Sequence, residues 1–160
     1  MTALRYARIP TVHGPWWHAW SGDGVCAGAP PEWDERRFAA WLRARHDGDV
    51  APGDPAGVPD GIDWRFVPAG FRREVLEACA RIPAGEVRSY GELAADAGRP
   101  GAARAVGTAM ATNPLPPVVP CHRVVRSDGR IGEYGAGGPE RKRAMLAAEG
   151  VVVRDGVVWR

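Results

Sequence analysis

Residues 89–111 read SYGELAADAGRPGAARAVGTAMA. Ser89 and Glu92 have the spacing of a capping box, in which an N-cap hydroxyl and an N3 carboxylate satisfy each other's backbone donors. A short helix is expected from there to Ala97, stopped by Gly98 and Pro100. A second is expected over 101–111. Upstream, Phe71, Val75, Leu76 and Cys79 give a leading helix one apolar face, and Pro83-Ala84-Gly85 closes it. Two short helices joined by Gly98-Arg99-Pro100 behind a leading helix make a helix-turn-helix pattern, one that many small helical domains share. The helix over 101–111 carries only three long side chains, Arg104, Val106 and Met110. Its small residues suit close packing against the protein's own core. They equally suit close approach of a backbone to a DNA groove, with Arg104 alone reaching out. The residues leave both readings open.

Downstream, Asn113–Pro120 (NPLPPVVP) is stiffened by proline and leads into Cys121-His122-Arg123-Val124-Val125. A thiol becomes a good nucleophile when an imidazole, a cation or a helix N-terminus lowers its pKa. Cys121 has polar neighbours in an arginine-rich stretch, and this sets it apart from Cys26 and Cys79, which sit among small or apolar residues and read as buried structural side chains. Pro120 is expected to hold the segment extended. Adjacent side chains would then point to opposite sides, so that His122 reaches the sulfur only through a relay or a turn. The glycine-rich Gly135-Ala136-Gly137-Gly138 lacks the lysine and serine of a nucleotide-binding loop and reads as a mobile wall of a small pocket. Pro139 opens a helix that Gly150 stops, with Ala144, Leu146 and Ala147 as its apolar stripe. Glu149, in its last turn, opposes the helix dipole, a placement that calls for a specific partner. Val151–Val153, Asp155-Gly156 and Val157–Trp159 read as a closing hairpin.

The N-terminal part differs in composition. Six of the seven tryptophans lie in residues 16–64. Apolar runs at 4–9, 16–20 and 25–27 suggest a small antiparallel sheet, and Phe38, Trp41, Leu42 and Arg45 behind an Asp34 N-cap suggest a helix that stops by Gly48. Residues 47–61, DGDVAPGDPAGVPDG, are expected to form a linker without regular structure. His13, His18 and Cys26 lack the fourth ligand of a structural zinc site, so no metal is assigned.

The 160 residues suit one ordinary domain or two small ones, and 45% hydrophobic with 25% charged residues excludes a disordered chain. No apolar run is long enough for a membrane span, and MTALRYARIP has no signal-peptide core. Three scattered cysteines give no disulfide framework and point to a reducing cytoplasm. The net charge of +2 conceals a division. Residues 98–130 hold five arginines against one acid, Asp128, as a partner polyanion or a plain solvated basic face would require.

At Pro120-Cys121-His122-Arg123-Val124 the chain resembles the O6-alkylguanine-DNA alkyltransferases. The resemblance covers roughly residues 66–150. It rests on several ordered motifs: Gly85-Glu86-Val87 leading to Ser89-Tyr90, Ala102-Ala103-Arg104-Ala105-Val106-Gly107, Asn113-Pro114, the PCHRVV core, and Glu149-Gly150. It implies that Cys121 is the acceptor thiolate and that His122 deprotonates it through a bound water. Glu149 would orient that histidine, and Asn113 would tie the helix-turn-helix to the active-site loop. Tyr90 would donate its hydroxyl to the flipped guanine. Pro116 and Tyr134 would line the pocket, and backbone at Cys121 and Val124 would read the exocyclic amine. The helix bearing Ala102, Ala103, Arg104, Ala105 and Gly107 would lie in the minor groove of double-stranded DNA, with Arg104 filling the gap left by the extruded base. Gly135 stands where many relatives carry a polar side chain, and the loop to Pro139 is one residue longer than in several of them.

The expectation is a two-part α/β protein, residues 1–65 a small sheet with a helix and a Gly/Pro-rich linker, residues 66–160 a helical, winged-helix-like helix-turn-helix domain. The implied function is stoichiometric, irreversible transfer of an alkyl group from O6-alkylguanine (and conceivably O4-alkylthymine) in DNA to Cys121, by a cytoplasmic monomer without cofactor or membrane attachment. The rival is a sensor that flips and holds the lesion without repair, disfavoured because such relatives replace the cysteine. A helix-turn-helix transcription regulator ranks last, because the 101–111 helix offers Ala and Gly in place of base-reading side chains.

Overall fold

The computed structural model describes residues 2–159. The chain divides into two compact units, one of residues 2–67 with 114–116, the other of residues 68–113 with 117–159.

The first unit is a four-stranded sheet covered by one helix. β1 (Leu4–Thr11), β2 (Gly14–Ser21) and β3 (Gly24–Ala29) form an antiparallel meander. The helix α1 (Glu35–Arg43) follows, its first turn capped by Asp34, which accepts from Arg37 N at 2.7 Å. Its buried face, Phe38, Ala39 and Leu42, lies on Tyr6 and Trp17 of the sheet. Phe38 stacks on Trp17 at 5.7 Å between ring centroids and meets Tyr6 edge-on at 6.0 Å. Each such side chain contributes roughly 1.5–3 kcal/mol of burial. The 47–61 stretch is not wholly irregular. Val50–Pro52 is a strand, β4, parallel to β1 with Leu4 opposite Val50. Its only strand-like residue is Val50, buried beside Leu4, so a three-residue edge strand among glycine, proline and aspartate gave no alternation to read. The sheet order is therefore β3-β2-β1-β4, mixed rather than purely antiparallel. Pro114–Pro116 joins this unit along β3, with Gly28 N donating to Pro114 O at 2.9 Å. A Cβ at Gly28 would clash with the Pro116 carbonyl, and only glycine fits there.

The second unit carries the three expected helices, α2 (Phe71–Ala80), α3 (Tyr90–Asp96) and α4 (Ala103–Ala111). Ser89 Oγ accepts from Glu92 N and Glu92 Oε1 from Ser89 N, both at 3.0 Å, so the capping box is formed in full. Two short strands that local sequence signals did not mark, β5 (Arg88–Ser89) and β6 (Val124–Val125), pair in parallel with Arg88 opposite Val124. The helix α5 runs Gly138–Ala148, so Pro139 is its second residue and Glu149 its C-cap rather than a last-turn residue. Its buried side chains are Lys142, Met145 and Leu146, whereas Ala144 and Ala147 are exposed. The expected stripe is thus corrected. Positions 142, 145, 146 and 149 share one helical face, and the face was hidden because its first member is a lysine. β7 (Val152–Arg154) and β8 (Val157–Trp159) form the expected hairpin, with Asp155 and Gly156 both at positive φ in a two-residue turn. Val87, Val125, Ile131, Leu146, Val151 and Val158 make a core beneath it.

Candidate active site

Cys121 begins a 3₁₀ turn, Cys121–Arg123, in place of the extended segment expected after Pro120. Proline's fixed φ is compatible with a turn that starts one residue later, and Arg123 N closes it on Pro120 O at 2.9 Å. Successive side chains in such a turn diverge by about a third of a revolution and no longer oppose each other. Cys121 is 7% exposed. Asn113, two residues past α4, donates from Nδ2 to Cys121 Sγ at 3.2 Å and to Val119 O at 2.9 Å. One amide thus joins the end of the helix-turn-helix to the sulfur and to the backbone before it. Burial pushes the Cys121 thiol up, while the Asn113 hydrogen bond, the Lys142 ammonium, its own backbone N–H and the Tyr134 hydroxyl pull it back down in part. Cys79 is fully buried and held well above the ordinary thiol value. Cys26 is pushed up to about 12 by burial and by Asp63, its sulfur facing Ala19 O at 3.6 Å.

His122 is 1% exposed, and its Nε2 lies 3.0 Å from Glu149 Oε2. With a carboxylate at Nε2, the hydrogen-bond network assigns the ring proton there and leaves the buried Nδ1 as the basic nitrogen. Arg123 clamps the same carboxylate, Nε to Oε1 at 2.9 Å and Nη2 to Oε2 at 2.7 Å, and also donates from Nη1 to Ile82 O at 2.6 Å. Burial would raise the Glu149 pKa, yet Arg123 and His122 outweigh it and hold the carboxyl well below the usual range. Glu149 is therefore an anion throughout the physiological range, at the helix end where the dipole alone disfavours it.

Cys121 lines a cleft of about 110 Å³ together with Tyr90, Met110, Glu133, Tyr134 and Lys142, with Gly107, Ala111 and Gly135 completing the wall. The β5–β6 pairing explains how Tyr90 arrives: it holds the residues after the acceptor turn beside the residues before α3, of which Tyr90 is the first. Burial raises the pKa of both Tyr90 and Tyr134, so both phenols remain protonated donors near neutrality. The volume is below the ~300 Å³ usual for a small-molecule site. Pro116 and Val124 are not in this wall. Pro116 folds with the first unit, and Val124 is fully buried with its carbonyl accepting from Lys142 Nζ at 2.8 Å.

On α4, Val106, Ala109 and Met110 face the core, while Arg104 and Ala105 are exposed and Ala102, Ala103 and Gly107 half-buried. Its small residues thus form an outward face from which Arg104 projects. Sequence reasoning passed over Lys142 and the clamping role of Arg123. The i, i+3, i+4, i+7 spacing of 142, 145, 146 and 149 was the available signal.

Comparison with known proteins gives concordant results. The family model for the DNA-binding domain of 6-O-methylguanine DNA methyltransferase matches residues 70–151. A methylated-DNA–protein-cysteine methyltransferase of Salmonella typhimurium is 53% identical over 173 aligned residues, covering 96% of this chain and 99% of its own. The structure of Mycobacterium tuberculosis OGT in complex with DNA superposes with a TM-score of 0.67 at 32% identity over 92% of each chain. The O6-methylguanine-DNA methyltransferase of Pyrococcus kodakaraensis gives 0.66 at 32% identity, over 92% of this chain and 99% of its own.

Proposed function

The chain belongs to the O6-methylguanine DNA methyltransferase family, and from that membership we propose how its own residues divide the work. The activity is direct reversal of alkylation damage in DNA, a methylated-DNA–protein-cysteine methyltransferase reaction in which an alkyl group leaves O6 of guanine for a protein cysteine. Cys121 is that cysteine. Its thiol gives its proton through a bound water to Nδ1 of His122, and Glu149, clamped by Arg123, stabilises the imidazolium. The thiolate attacks the alkyl carbon in line. The S–C bond forms as the C–O6 bond breaks, and the electron pair passes into the guanine ring. Tyr90 donates a hydrogen bond to that ring as the charge develops; the departing guanine anion takes its proton from water, and the imidazolium returns the thiol's proton to solvent. The product is a thioether, which offers no route back to the thiol, so each molecule acts once.

The target base must leave the stack to meet a buried sulfur. The outward face of α4, with Ala102, Ala103, Ala105 and Gly107, is narrow enough to enter a minor groove, and Arg104 takes the place of the extruded base. Among the described residues no helix is long and apolar enough to cross a membrane. We place the protein in the cytoplasm, acting on DNA as a monomer.

The observation that carries this reading is Cys121 in the wall of one cleft with Tyr90 and Tyr134, its sulfur bonded to Asn113. Incubation with duplex DNA containing O6-methylguanine, followed by peptide mass spectrometry, tests it. One added methylene on the peptide carrying Cys121 is expected. Tight binding without any mass change would favour the lesion-sensor reading, and a methyl on Cys79 or Cys26 would refute the assignment.

A further inference from the structure

Lys142 is the sole lysine of the chain, among twenty arginines, and it is 1% exposed. A buried ammonium is costly unless it is paired and hydrogen-bonded. Here Nζ donates to two carbonyls, Val124 O at 2.8 Å and Glu133 O at 3.3 Å. One belongs to β6, directly after the acceptor turn, and the other to the segment that delivers Tyr134. The ammonium that bridges them shares the cleft with Cys121. Nζ also lies over the Tyr90 ring, 6.0 Å from its centroid.

We propose that Lys142 is a positioning residue for the transfer reaction, whose buried ammonium ties the acceptor turn to the 133–135 segment and supplies the fixed positive charge facing the Cys121 thiolate. The proposal rests on the assignment of Cys121 as acceptor. His122 turns its Nε2 to Glu149, 3.0 Å away, so that any charge it carries is directed to that carboxylate. Asn113 contributes a dipole only. The other groups facing the sulfur are the phenols Tyr90 and Tyr134 and the thiol Cys79, all neutral near pH 7, while Lys142 itself faces Cys121, Cys79 and Glu133. Arg123 is committed to Glu149, and among the described residues Lys142 is the cation whose charge acts on the Cys121 sulfur. Burial lowers the Lys142 pKa to about 8, and the charges of Cys121 and Glu133 resist this, so the ammonium persists at neutral pH.

The test is the rate at which iodoacetamide alkylates Cys121, followed by mass spectrometry from pH 6 to 10, in the full-length protein and in Lys142→Met and Lys142→Gln. Iodoacetamide needs no guanine recognition, so its result is independent of whether the protein repairs DNA. Loss of the cation should leave about tenfold less thiolate at pH 7, where the unaltered lysine is charged. A more basic thiolate is a better nucleophile, with a Brønsted slope of about 0.4–0.5, which returns about threefold. For a tenfold loss of thiolate the variants should therefore react about threefold slower at pH 7, and the profiles should converge towards pH 10, where Lys142 has itself lost its charge. Convergence of the profiles at high pH distinguishes lost charge from a damaged fold, which would displace the whole curve in one direction. Lys142→Gln keeps an amide donor for the carbonyls, so it guards against collapse of Lys142→Met. Rates at pH 7 within about twofold of the unaltered protein, in both variants and with native circular dichroism, would overturn the proposal. Failure of the unaltered protein to take methyl from DNA would instead sink the repair assignment and leave these profiles standing.

Discussion

Replacing Glu149 by glutamine removes one charge and little volume from the centre of the candidate site. The carboxylate, 2% exposed, receives two hydrogen bonds from Arg123, at 2.9 and 2.7 Å, and faces His122 Nε2 at 3.0 Å. Breaking a buried ion pair by neutralising one partner costs about 3–5 kcal/mol, because the other charge is left uncompensated. Arg123 is 16% exposed and the glutamine oxygen still accepts one donor, so about 3 kcal/mol is expected. For a chain of this size that is a fall in Tm of about 6–12 °C. The sign with pH follows from the depressed folded-state pKa. The stabilisation is complete above the unfolded carboxyl value of about 4.3 and is lost as pH falls below it toward the folded value. Thermal melts of the two proteins should thus differ most at pH 6–7 and draw together progressively as the pH falls below about 4. Methyl transfer should slow about 100-fold, the lower end for base assistance, since Glu149 orients the base and does not itself take the proton. A Tm change under about 2 °C, with melts parallel down to the acid limb and an unchanged transfer rate, would refute both the clamp and the relay.

Cys121→Ala should abolish methyl transfer and leave lesion-DNA binding in a gel-shift assay largely intact. Arg104→Ala should slow repair of duplex DNA strongly and reaction with free O6-benzylguanine hardly at all, provided that base fits the cleft, because the side chain offsets part of the few kcal/mol of unstacking. Equal losses on both substrates would remove it from base extrusion. Ser89→Ala breaks the capping box at the start of α3 and should cost about 1 kcal/mol in urea denaturation. An unchanged midpoint would mean that β5, rather than the cap, sets where that helix begins.

Local signals determined much of this protein from the sequence alone. The capping box at Ser89 and Glu92, the Asp155-Gly156 hairpin and the Asp34 cap depend on bonds between residues two or three apart, which a sequence displays directly. The motif around Cys121 was equally legible, because proline, a thiol and polar neighbours stand in one run. What lay hidden was non-local. The strand Val50–Pro52 exists only because β1 offers it an edge, and β5 with β6 only because residues 36 positions apart meet in register. The contact of the Pro116 carbonyl with Gly28 of β3 was equally hidden, since a proline-stiffened segment shows where it bends but not what it bends against. The clamp of Arg123 on Glu149 spans 26 residues, and burial of Lys142 contradicts the surface habit of lysine. Both were decided by tertiary structure alone. A charge is tolerated inside a protein only where distant carbonyls and counter-charges converge on it, and no stretch of sequence carries that convergence.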